Sequence, residues 1–206
     1  MSLVAQQPQS PVREHRRALV VIGLVNLALF LAGVLLTVLV PELRPGGIGQ
    51  LHGEPDTPGL GTLVADAYRS ENVIWAAAVT FVVNLVLASM LQTTLPSLIV
   101  PFVGVVITAV RIFSWGILFT PAGQDDATFL FHYVTLLIEG AAYVLVAFAS
   151  WVQARRFLQP RRFGLPNHRA GYVAGLRATG RLYVWVVVLL LIGAIYEAFS
   201  VIYIVA

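Results

Sequence analysis

A chain of 206 residues with 58% hydrophobic residues, 11% charged residues and a mean hydropathy of +0.84 is too apolar for a soluble domain and reads as one integral membrane domain. Its thirteen basic residues are all arginine and are segregated by loop, which is an orientation signal and not a nucleic-acid footprint. With no cysteine, disulfides, thiolate metal sites and thiol nucleophiles are excluded.

Residues 1–12 are polar, with Gln6, Gln7 and Gln9, and are expected to form a short disordered tail. Arg13, Arg16 and Arg17 then precede an apolar run from Ala18 to Val40, which is longer than the core of a signal peptide and reads as a retained first span. Gly23, Asn26, Phe30, Gly33 and Thr37 share one face of it, the small and amide residues that close helix packing in lipid uses. Pro41 ends the run.

The segment 41–72 is rich in Pro and Gly and cannot be one long regular element. Within it Thr57–Pro58 reads as a helix start, and Leu60, Leu63, Val64, Ala67 and Tyr68 keep helical spacing. The expectation is a short interfacial helix that either covers the bundle or docks a partner.

A second span is expected over 73–91, with Thr80, Asn84 and Ala88 on one face, and a third over 95–120. Gln92, Thr93 and Thr94 are expected to form the hairpin turn between them. Pro101 is expected to kink the third span or divide it in two. Gly104, Thr108, Arg111 and Trp115 share its inner face, and Arg111 lies about 13 Å from the outer end at 1.5 Å per residue, too deep for the headgroups.

The fourth span, 127–151, carries His132, Thr135, Glu139, Tyr143 and Ser150 on one face. A charge at the bilayer centre costs roughly 2.5–3.5 kcal/mol, so the Glu139 face must look into protein. The basic segment Gln153–Arg181 follows, with a lead-in helix expected after Asn167 that includes Gly171 and Gly175. The last span, 182–205, carries Gly193, Tyr196, Glu197, Ser200 and Tyr203 inward, with Glu197 about 12 Å from its outer end and so at the depth of Arg111.

Five spans place the tail and the 153–181 segment, with ten arginines, on one side, against Arg44 and Arg69 on the other. The rule that basic loops stay cytoplasmic then puts the N-terminus inside and the C-terminus outside, in a bacterial inner (plasma) membrane. The fold class is therefore an all-α bundle of five transmembrane helices.

No zinc-protease, serine-elbow, P-loop or dinucleotide motif is present, and the histidines stand far apart at 15, 52, 132 and 168. A non-enzyme without cofactor or metal is expected; a Glu139–His132–Glu197 metal site is conceivable, but His132 and Glu139 are about 10 Å apart along one helix. The candidate site is a buried polar network of Asn26, Asn84, Arg111, His132, Glu139, Tyr196 and Glu197. It is read first as a register device, with Arg111 paired to Glu197 and Glu139 bonded to Asn26, Asn84 or Tyr196. Second, it is a proton or ion path through His132, Glu139 and Arg111; third, it is a lipid or peptide pocket.

FVVNLVLASM around Asn84, TLPSLIVPFVG, LLIEGAAYVLVAFA around Glu139 and the closing GAIYEAF resemble, over residues 18–205, the SpoIIM-like family, stage II sporulation protein M and its relatives. The family pattern usually has a His shortly before the Glu, with a Pro nearby. Here Leu136 stands three residues before Glu139, and His132 a further turn away. The resemblance implies a non-enzymatic membrane component that assembles with other proteins, in the sporulation case with cell-wall hydrolases during engulfment. The expected role is a scaffold or accessory subunit, with membrane proteins, lipids or a second copy as partners and no nucleic acid. The alternative is a small transporter or ion-conducting component.

Overall fold

The computed structural model describes residues 10–43, 60–120 and 129–205, and these are helical with no strand among them. Four helices are long and apolar enough to cross a bilayer, as a multi-pass membrane protein requires. The Thr57–Pro58 start and Arg44 lie outside the described residues.

Helix α1 (Pro11–Glu14) is one turn started by Ser10, so residues 10–12 do not belong to the polar tail as expected. Helix α2 (Arg16–Leu39) buries Ile22, Asn26, Gly33 and Thr37 and leaves Val20, Leu24, Leu27, Leu31 and Leu35 half exposed on its outer face. Its small-residue face works as the sequence implies. A Cβ at Gly33 would lie 2.4 Å from the Phe113 carbonyl oxygen, and one at Gly116 would lie 2.1 Å from that of Phe30. Two glycines thus let two backbones touch.

Helix α3 (Leu60–Arg69) is the short amphipathic helix expected in the first loop. Ala65 and Ala67 are buried, Asp66 and Arg69 pair at 3.1 Å in solvent, and Tyr68 packs against Ala76, Ala77 and Ala198.

The expected hairpin at Gln92–Thr94 does not form. Helix α4 runs unbroken over Val73–Ile99, and its middle, Val83–Thr94, is wound in wider turns. In that stretch Ser89 Oγ donates to the Asn84 carbonyl at 2.8 Å and Thr93 Oγ1 to that of Ala88 at 2.7 Å, both five residues back. The polar triplet stays helical because each side chain finds a partner: Gln92 in Arg111, Thr93 in Ala88, and Thr94 in Tyr183 at 2.5 Å. The reversal comes at Val100–Phe102 instead. Pro101 disfavours a helical residue before it, so Val100 is extended, and Phe102 turns the chain with a φ of 68°. Pro101 therefore divides the predicted third span, and the remainder, α5 (Val103–Leu118), has 16 residues.

Helix α6 (Phe129–Leu158) and helix α7 (His168–Ser200) are longer than the predicted spans 127–151 and 182–205. Asn167 caps α7 by accepting from the Ala170 amide at 2.9 Å, and the lead-in helix runs without a break into the last span. α6 and α7 make the most extensive helix contact, along Ala142, Val146, Val186 and Leu190. Gly171 and Gly175 belong to that contact: a Cβ at Gly171 would lie 2.2 Å from the Arg156 carbonyl oxygen, and one at Gly175 would strike the Gln153 side chain.

Consecutive long helices run in opposite directions. One end of the bundle gathers His15, Leu98, Trp151 and Tyr172; the His15 ring meets Trp151 edge-on at 5.1 Å, and the Tyr172 hydroxyl donates to the Leu98 carbonyl at 3.3 Å. Arg156 also bonds Glu14 there at 2.7 Å. The other end gathers Tyr68, Phe119, Tyr133 and Ala198, with the Tyr133 hydroxyl donating to the Phe119 carbonyl at 2.6 Å.

Candidate functional site

The site is centred on Glu139, whose side chain is 6% exposed and lies against α7 because position 193 is glycine; a Cβ there would sit 3.2 Å from Glu139 Cγ. The Asn84 amide nitrogen donates to Glu139 Oε1 at 2.6 Å, and the Asn84 oxygen accepts from the Tyr143 hydroxyl at 2.9 Å. Tyr143 is one turn beyond Glu139 on α6, so a single asparagine on α4 clamps two successive turns of its neighbour. Of the three partners the sequence offered Glu139, Asn84 is the one it takes. Asn26 instead donates to its own Ile22 carbonyl at 2.8 Å, and Tyr196 makes no hydrogen bond among the described residues.

Arg111 is not paired with Glu197. Its guanidinium lies 4.8 Å from the centre of the Tyr143 ring and donates to Gln92 Oε1 at 2.7 Å, the Ala88 carbonyl at 3.3 Å and Thr93 Oγ1 at 3.4 Å. Depth placed Arg111 and Glu197 level, but they face different neighbours. The wide turns of α4 offer Arg111 a carbonyl and a hydroxyl at close range, and a guanidinium with five donors is satisfied there. Among the described residues no ion pair includes Arg111, Glu139 or Glu197.

Glu197 lies at the other end of the chain of contacts. Tyr68 reaches down from α3, with its hydroxyl 2.9 Å from Thr80 Oγ1, and Thr80 and Glu197 line the same cavity. Burial, reinforced by Glu197, raises the Tyr68 hydroxyl well above its ordinary range, so it remains a donor. Asn84, Glu139, Glu197, His132 and Thr135 line a common cavity of about 160 Å³ with Trp115 and Phe119 in its wall. Among the described residues no three His, Asp or Glu side chains come close enough to hold a metal, so Glu139, His132 and Glu197 share a cavity without forming the conceivable ligand set.

Three members of the site were left out of the buried polar network read from the sequence. Tyr143 stood on the Glu139 face at helical spacing, and an interhelical hydroxyl was the signal available. Gln92 resembled a turn residue, and Tyr68 resembled an apolar anchor of a surface helix.

No protein-family model, no curated protein and no solved structure matches this chain. The reading of the site therefore rests on its geometry.

Proposed function

We propose that the chain is a non-enzymatic scaffold or accessory subunit of a larger membrane assembly, SpoIIM-like in kind. In this reading it crosses the inner membrane five times, with its N-terminus in the cytoplasm and its C-terminus outside. The observation that carries it is the closure of the polar interior: Asn84 bonds Glu139 and Tyr143, and Arg111 bonds α4 and faces Tyr143. Such bonds specify register between helices that lipid alone would not orient. The unpartnered outer face of α2 remains for lipid or another membrane protein. The fifth crossing is α5, whose 16 residues span roughly 24 Å at 1.5 Å per residue, short of a 30 Å core and matched by local thinning or by flanking residues.

The test is purification in a mild detergent followed by mass spectrometry and reporter fusions. A stoichiometric membrane partner, a reporter after Ala206 outside and one within Pro160–Pro166 inside are expected. A chain that purifies alone, or both reporters on one side, contradicts the reading.

A second reading, a small transporter or ion-conducting component, is favoured by one observation: Glu139, Glu197 and His132 share a cavity in the bundle. It differs from the first in requiring flux by the isolated protein.

A further inference from the structure

We propose that the outer face of α7, at its arginine-rich end, holds an anionic phospholipid, with the phosphate on Arg177 and Arg181 and the acyl chains along Val184, Val188 and Ile195. These five residues follow one another at steps of four, three, four and seven, so they form one ridge of the helix. All five are exposed, on the side turned away from Ala178, Val186 and Leu190, which pack inside the bundle. Beyond Arg181 the helix and its continuation to Val205 extend roughly 36 Å at 1.5 Å per residue, enough for a hydrocarbon core of about 30 Å. Both guanidinium groups therefore stand at headgroup depth. Trp185, 62% exposed one turn further in, is the residue type that membranes hold at that level.

Charge complementarity selects the headgroup. Neither Arg177 nor Arg181 makes an ion pair or a hydrogen bond among the described residues, whereas Arg156 at the same end bonds Glu14 at 2.7 Å and the Ala174 carbonyl at 3.1 Å. Glu14 is the one carboxylate at that end among the described residues, so the protein itself offers the two arginines no anion. A guanidinium presents a planar fork of donors that matches two phosphate oxygens. Two of them on successive turns favour a net negative headgroup over a zwitterionic one, whose ammonium they repel. A Cβ at Gly180, between them in sequence, would meet nothing within 4 Å, so no side chain crowds the seat. The apolar ridge commits the face to a lipid, since a soluble phosphate leaves Val184, Val188 and Ile195 uncovered. The face is independent of any protein partner.

Thermal unfolding of the full chain in an uncharged detergent tests the proposal, with separate titrations of phosphatidylglycerol, phosphatidylcholine of the same acyl chains, and glycerol phosphate. Phosphatidylglycerol should move unfolding to higher temperature and saturate, as mass action requires of a ligand that binds only the folded state. The other two should not. Arg177→Gln with Arg181→Gln removes no bond within the protein, so it should leave the lipid-free melt unchanged while raising the phosphatidylglycerol midpoint roughly thirtyfold. Arg161→Gln with Arg162→Gln removes the same charge from the turn between α6 and α7 and should move that midpoint by less than about threefold. No response to phosphatidylglycerol, an equal response to phosphatidylcholine or glycerol phosphate, or equal midpoints in the two double variants overturns the proposal.

Discussion

Asn84 and Glu139, 55 residues apart in sequence, are joined by a 2.6 Å hydrogen bond that fastens α4 to α6 inside the bundle. The same amide accepts from Tyr143, so its removal strands two buried groups. Asn84→Leu is expected to lower stability in detergent by about 1–2 kcal/mol, an unmade buried bond being tempered by the weaker polar contacts typical of membrane interiors. In a Glu139→Leu background the same change should cost less, because no carboxylate is left unbonded. Thermal unfolding of the four chains of that cycle measures the difference.

Arg111 and Glu197 do not touch, and their effects should be independent. Arg111→Met and Glu197→Gln are expected to add within about 0.5 kcal/mol. Arg111→Met and Gln92→Leu, which share a 2.7 Å bond, should couple by more than that. A strong coupling in the first pair would restore the salt bridge that helix depth alone implied.

Gly116 and Gly140 offer a steric contrast. Gly116→Ala drives a Cβ against the Phe30 carbonyl and should cost roughly 1–3 kcal/mol as α2 and α5 separate, whereas an added Cβ at Gly140 meets nothing within 4 Å. Gly140→Ala should therefore be neutral or slightly stabilising. Comparing their melting temperatures in one detergent checks both.

His15 gives the N-terminal docking a pH dependence. Burial among Trp151 and Phe163 holds its imidazole below the ordinary value of 6.5; the Glu14 carboxylate opposes that shift, and Arg156 and Arg155 add to it. A base whose folded value is depressed is protonated more readily in the unfolded chain. Its stability contribution is thus complete above about pH 6.5 and declines as pH falls toward the folded value. Melting temperature should fall on acidification through that window, and His15→Phe should flatten the slope.

Much of this arrangement was legible in the residues. Apolar runs longer than 18 residues located the helices, and Glu139 in the middle of one marked the polar interior with Asn84 as a candidate partner. The errors share a physical origin: spacing along a helix gives depth and face but not which neighbour stands opposite. Counting residues put Arg111 and Glu197 level, yet Arg111 turns to Ala88, Gln92 and Thr93 of α4, whose wide turns expose carbonyls that no periodicity announces, while Glu197 shares its cavity with Thr80 and Asn84. Gln92, Thr93 and Thr94 read as a loop because polarity was taken for a boundary, whereas each is satisfied within the bundle, and Pro101 made the turn. Gly171 and Gly175 sat among arginines, where a close helix contact is masked by the charge around it.

In the reading proposed above, the polar interior fastens helices and passes no ion across the membrane. Proton and sodium flux into liposomes containing the purified chain tests this most directly. Flux no greater than that of protein-free liposomes is expected, with or without Glu139→Gln. A flux that appears with the wild-type chain and disappears in Glu139→Gln would contradict the account and make the chain a conducting component.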